Sequence, residues 1–130
     1  MGDIEEAHRL LVGAWRLIAF EDRDTERDDW TATYGTAAVG LAIYDPSGSL
    51  SIQVMPDPQS AEPYLGYFGT FEVLEAIASG AGFTGIVDHR VEGATDIELV
   101  GPGGRPFELS GQRLLLGDDR TWRRILERIT

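Results

Sequence analysis

Turn signals recur along this chain at short, regular intervals, and that punctuation restricts it to an antiparallel all-β fold. Asp45-Pro46-Ser47-Gly48, Gly80-Ala81-Gly82, Gly101-Pro102-Gly103-Gly104 and Ser110-Gly111 separate runs with strand-like alternation of side chains. Proline presets φ for a turn, and glycine supplies the positive φ that closes one. The runs cover residues 14–21, 39–44, 50–55, 67–75, 83–92, 95–100, 106–110, 113–116 and 122–129. About nine short strands spaced roughly ten residues apart fit a sandwich or an up-and-down barrel of about 8–10 strands. Helices alternating with strands, which a parallel α/β fold needs, are missing.

The rest of the chain fits around those strands. Residues 3–11 read as one short helix, with Asp3 as its cap, Glu6 three residues on, and Ile4, Ala7 and Leu11 on one face. In the first strand Trp15, Leu17 and Ala19 alternate with Arg16, Ile18 and Phe20. Both faces are largely apolar, so the N-terminal helix is expected to cover the outer one. Residues 22–29 are acidic and read as a mobile loop. Residues 56–66 carry Pro56, Pro58 and Pro63, too many for a ladder, and read as a loop over one barrel mouth. Trp122, Ile125 and Ile129 fall at helical spacing. A strand is expected there nonetheless, because barrel closure needs one beside the first.

Composition narrows the function classes. At 130 residues the chain fits one domain, 1–130, large enough to bury a core without disulfides. There is no cysteine, which removes thiolate metal sites and leaves the redox compartment unread. Twenty-two acidic residues against eleven basic ones give a net charge of −11. Such a surface disfavours nucleic acid and anionic membranes as partners. All the cations are arginine, which excludes a Schiff-base lysine. The acidic start, Met1 to Glu6, is unlike a secretory signal, so a cytoplasmic location is expected.

Pieces of the chain also resemble, in order, the lipocalin-like domain family of small bacterial and fungal calycin-type barrels. They are Leu11-Val12-Gly13-Ala14-Trp15-Arg16-Leu17, Gly40-Leu41-Ala42-Ile43-Tyr44-Asp45 with Gly48, and Ser51-Ile52-Gln53-Val54-Met55. Tyr67-Phe68-Gly69-Thr70-Phe71-Glu72-Val73, His89-Arg90-Val91-Glu92-Gly93 and Leu126-Glu127-Arg128 complete the set. The Gly-x-Trp at the first strand is similar to that of lipocalins proper. The resemblance implies that Trp15 plugs the closed barrel end, with Arg128 or Arg124 packed across it. The proline segment is shorter than the family's, which bears on pocket depth.

Several side chains are candidates for an interior site. His89 shares an apolar strand face with Phe83, Val87 and Val91. It reads either as a buried histidine bonded to backbone or tyrosine, or as a ligand contact and general base. Trp122, Arg124, Leu126 and Arg128 share a face of the last strand. If that face is interior, Arg124 meets a ligand carboxylate or enolate, or an internal carboxylate such as Glu21 or Glu72. Tyr44 and Tyr67 offer hydroxyls, and Phe71 packs core or lines a pocket. Gln53 is a candidate only if its face of residues 50–55 is inside.

Other patterns fail on context. Gly80-Ala81-Gly82-Phe83-Thr84-Gly85 matches G-x-G-x-x-G without the following helix that would hold a pyrophosphate. His8 and His89 lack metal-ligand spacing, and neither metal nor cofactor is expected. The expected function is binding of a small hydrophobic or amphipathic molecule in the barrel. The alternative is a cofactor-free isomerase or cyclase acting on a polyketide-like or terpenoid intermediate, with His89 as acid/base. A homodimer is left open.

Overall fold

The computed structural model describes residues 2–130. Among these, one α-helix, α1 (Asp3–Leu11), precedes nine strands, β1 (Gly13–Asp22), β2 (Thr31–Ala32), β3 (Val39–Tyr44), β4 (Ser49–Met55), β5 (Leu65–Ser79), β6 (Gly82–Ala94), β7 (Gly104–Ser110), β8 (Arg113–Leu116) and β9 (Trp122–Arg128). Every pairing is antiparallel, and β9 returns to β1, so β1 and β3 to β9 close an eight-stranded barrel. The two-residue β2 is an extra strand, paired with the far end of β1 at Glu21 and Asp22. Closure leaves little exposed sheet edge, which is how such a fold avoids pairing with other chains. Among the described residues no helix is long and apolar enough to cross a membrane.

Alternation sets the inner face. Trp15, Ala42, Tyr44, Leu50, Val54, Phe71, Val87, His89, Val91, Phe107, Leu114 and Leu126 are buried inside the barrel. Leu50, Ile52 and Val54 therefore face in, and Gln53 belongs to the outward set with Ser51. Residues 122–128 form a strand, as closure demands, and Leu126 on the Trp122 face is buried.

Several local expectations are corrected. Helix α1 does not cover the outer face of β1; its Ala7 and Leu11 are fully buried and stopper one end of the barrel. The apolar outer run of β1 has another cause. A bulge between Leu17 and Ala19 shifts the register against β9, so Phe20 lies opposite Arg124 and turns inward, while Ile18 stays exposed. Asp3 is the first helical residue, not the cap. Gly2 stands at the cap, and the Asp3 carboxylate accepts from the Ala78 amide at 3.1 Å, tying the helix to β5. Ile4 is exposed rather than packed with Ala7 and Leu11.

The loops differ as well. The expected strand at 95–100 is a single 3-10 turn, Ile97–Leu99, started by Asp96, whose carboxylate accepts from the Glu98 amide. The proline segment ends at 64, because β5 begins at Leu65. It packs on the 34–37 turn, with the Asp57 amide donating to the Tyr34 carbonyl at 2.8 Å and the Asp57 carboxylate accepting from the Ala37 amide. None of its residues lines the interior space. The acidic stretch after β1 is tied down: the guanidinium groups of Arg23 and Arg123 lie 4.1 Å and 4.0 Å from the Trp30 ring centroid.

Candidate functional site

The barrel has a sealed end and an open one. At the sealed end the Trp15 indole donates to the Leu11 carbonyl at 2.9 Å. The Arg128 guanidinium lies 4.3 Å from the Trp15 ring centroid. Arg128 also donates to the carbonyls of Leu10, Val12 and Thr130, two of them groups that the end of α1 leaves without helical partners. Gly13 makes the junction possible, since a side chain there would run into the Thr130 carbonyl and the Arg128 guanidinium. Arg128, and not Arg124, crosses Trp15.

Above that plug sits a polar core. His89, fully buried on β6, binds the Tyr44 hydroxyl through Nε2 at 2.8 Å and the Tyr67 hydroxyl through Nδ1 at 2.9 Å. Phe71 packs edge-on to Tyr44 at 4.9 Å and stacks on His8 at 5.0 Å. Among the described residues no buried side-chain polar atom lacks a partner. Burial, and then the positive charge of Arg105, hold the His89 imidazole well below its ordinary range, so it is neutral. Burial also raises both tyrosines, Tyr44 strongly, while Arg105 pulls Tyr67 partly back.

A neutral imidazole has one donor and one acceptor, so one tyrosine donates to His89 and the other accepts from it. Whichever polarity holds, Tyr67 keeps a hydrogen-bonding function to spare. Beyond that bond it has either a proton or a lone pair, and Arg105 reaches the same hydroxyl.

The open half holds a cavity of about 360 Å³. Its walls are mainly apolar, including Leu17, Phe20, Ala42, Ile52, Val54, Leu65, Leu99, Leu116 and Leu126, with Tyr67, Trp122, Arg105 and Arg124 as the larger polar or amphipathic groups; Gln53, whose side chain faces outward, also borders it. The volume falls at the low end of the roughly 300–1,000 Å³ typical of small-molecule sites.

The structure divides the expected site residues. Tyr67, Gln53, Trp122 and Arg124 border the cavity; His89, Tyr44 and Phe71 do not. The last three lie deeper, where their polar atoms and rings satisfy one another and Tyr67 comes between. Gln53, facing outward, has its carboxamide occupied by the Tyr64 hydroxyl at 2.6 Å and the Ser51 hydroxyl at 3.3 Å. Arg124 is also occupied. It donates to the Glu21 carbonyl at 3.0 Å and the Asp22 carboxylate at 3.2 Å, and lies 3.4 Å from the Phe20 ring centroid. Asp22 is its internal carboxylate, whereas Glu21 pairs with Arg123 at 2.8 Å.

Sequence reasoning missed Arg105. It lies two residues before Phe107 and four before Leu109 on the inner face of β7, opposite Val87. Reading the strand as starting at Pro106 hid it. Extending the two-residue period back to 105 is the signal that finds it.

No family model matches the chain, and no curated protein or solved structure matches it.

Proposed function

We propose that this chain is a binding barrel that takes up a small, largely apolar molecule, as a lipocalin-like domain. The observation that carries the reading is the cavity of about 360 Å³, apolar on most of its wall and bordered by a few polar groups at set positions. An enclosed apolar space with a small number of convergent polar side chains is the usual form of a small-molecule site. The ordered sequence pieces that resemble the lipocalin-like family support the same reading.

Tryptophan fluorescence during ligand titration tests it, because Trp122 borders the cavity. A saturable change with apolar compounds, abolished in Trp122→Phe, is expected. Absence of any saturable change across flat, branched and linear compounds would count decisively against an occupied cavity.

One observation favours a second reading, an isomerase or cyclase needing no cofactor. The Tyr44–His89–Tyr67 chain ends on a phenol that borders the cavity. In that reading Tyr67 touches the substrate and His89 is a positioning residue that sets the polarity of the phenol. Tyr67→Phe then abolishes turnover, and His89→Gln changes its pH profile while substrate affinity persists.

A further inference from the structure

We infer that Arg105 is an anion anchor, and that the cavity takes an amphiphile with an apolar body and one compact negatively charged oxygen group, a carboxylate in the simplest case. The inference rests on the binding reading above and names its ligand class.

The two cavity arginines are in different states. Arg124 has the Asp22 carboxylate and two backbone carbonyls as partners. Arg105 makes no ion pair among the described residues; its guanidinium donates to the Gly103 carbonyl at 2.5 Å and reaches the Tyr67 hydroxyl, both neutral partners. Most of its N–H donors remain uncommitted, since a guanidinium carries five. It lies 5.8 Å from the Tyr67 ring centroid, so the phenol and the cation border one part of the wall.

The charge pattern around the cavity runs against the rest of the molecule. Acidic residues outnumber basic ones two to one, yet among the described residues no carboxylate-bearing side chain lines the cavity and two arginines do. The effect of Arg105 reaches the buried groups: its charge opposes ionisation of His89 and favours the ionised forms of Tyr44 and Tyr67. A partly buried guanidinium without a counterion is unfavourable, because neither water nor a carboxylate fully replaces its hydration. An arriving anion removes that penalty and forms charge-assisted, forked hydrogen bonds of the kind arginine favours. The space is about a dozen times the roughly 30 Å³ that one water takes up in the liquid, room for a compact amphiphile.

Calorimetric titration with matched probes tests this: decanoate against decanol, and naphthoate against naphthylmethanol, at neutral pH. Wild type is expected to bind the carboxylate of a pair on the order of 10- to 100-fold more tightly than the alcohol. Arg105→Gln is expected to erase that preference while keeping the alcohol's affinity, which also reports that the barrel is folded. Arg105→Met, which keeps the packed stem, serves the same purpose should the glutamine variant not fold. Arg124→Gln should keep the preference. Equal affinity for acid and alcohol in wild type, or a preference that survives both Arg105 variants, overturns the anchor and leaves the binding barrel standing. Failure of all four probes to bind overturns both.

Discussion

The Tyr67 hydroxyl lies 2.9 Å from Nδ1 of His89, and it is Tyr67, not His89, that borders the cavity. The imidazole thus acts on whatever occupies the barrel only through a phenol. Its other nitrogen holds Tyr44, whose hydroxyl is fully buried and pairs with His89 alone.

This arrangement predicts strong non-additivity. Tyr44→Phe leaves Nε2 of His89 without a partner in the core and should cost about 1–3 kcal/mol. His89→Leu strands the Tyr44 hydroxyl and should cost at least as much. Removing the polar set together, as Tyr44→Phe with His89→Leu and Tyr67→Phe, should be much less destabilising than the sum, because no unpaired group remains. Urea unfolding of the single, double and triple variants measures this. Simple additivity would show that the three groups do not depend on one another.

A pH dependence follows from the same burial. Desolvation, and then Arg105, keep the folded pKa of His89 well below 6.5. Below pH 6.5 the unfolded chain takes up this proton and the folded chain does not. The unfolded state then binds more protons, so stability falls as pH drops, at up to about 1.4 kcal/mol per pH unit, until the folded pKa is reached. Above 6.5 the contribution is complete. The chain has two histidines, so the measurement belongs in a His8→Gln background. There, chemical denaturation between pH 7.5 and 5 (about 3 down to about 1 unit above the ordinary carboxylate range) should show the slope. His89→Gln should remove it; an unchanged slope would assign it elsewhere.

The sealed end makes a separate prediction. Arg128 covers Trp15 and binds the carbonyls of Leu10, Val12 and Thr130. Arg128→Met keeps the apolar stem but leaves those carbonyls to solvent or unpaired, and should cost about 1–3 kcal/mol. Ligand affinity should be unchanged, since Arg128 does not border the cavity. Urea midpoints and probe titrations on one sample separate the two effects. A loss of affinity without a loss of stability would refute the role of a plug.

How much of this could be read from the sequence depended on whether local alternation survives closure. The face of β6 that carries Val87, His89 and Val91 is legible because nothing disturbs its period there. Phe20 was not, since the bulge at Leu17/Ala19 moves it from the outer set to the inner one. The 97–99 turn has the composition of a strand, and only the Asp96 side-chain bond to the Glu98 amide marks it as a helix start. Arg105 was hidden by Pro106, which suggested a strand start although β7 already begins at Gly104. The cavity itself is a matter of summed side-chain volumes across eight strands, and no single strand carries that information.

Whether that space is truly empty can be tested by filling it. Ala42 is buried at 1% exposure, lines the cavity, and stands between Trp15 on β1 and Ile52 on β4 in the sheet register. In a close-packed core, Ala→Leu forces neighbours off their rotamers and costs about 1–3 kcal/mol. Beside an apolar void, the added carbons gain contacts that the wall lacks, and the change should be neutral or stabilising. Ala42→Leu should therefore leave the urea midpoint unchanged or higher, while weakening binding of the alcohol and carboxylate probes alike, at least tenfold. Equal weakening matters, because it separates loss of room from loss of the Arg105 charge. A destabilised variant would mean that the side chains around Ala42 already fill the barrel there, and the ligand would have to sit nearer the open mouth, between Leu99, Phe20 and Trp122.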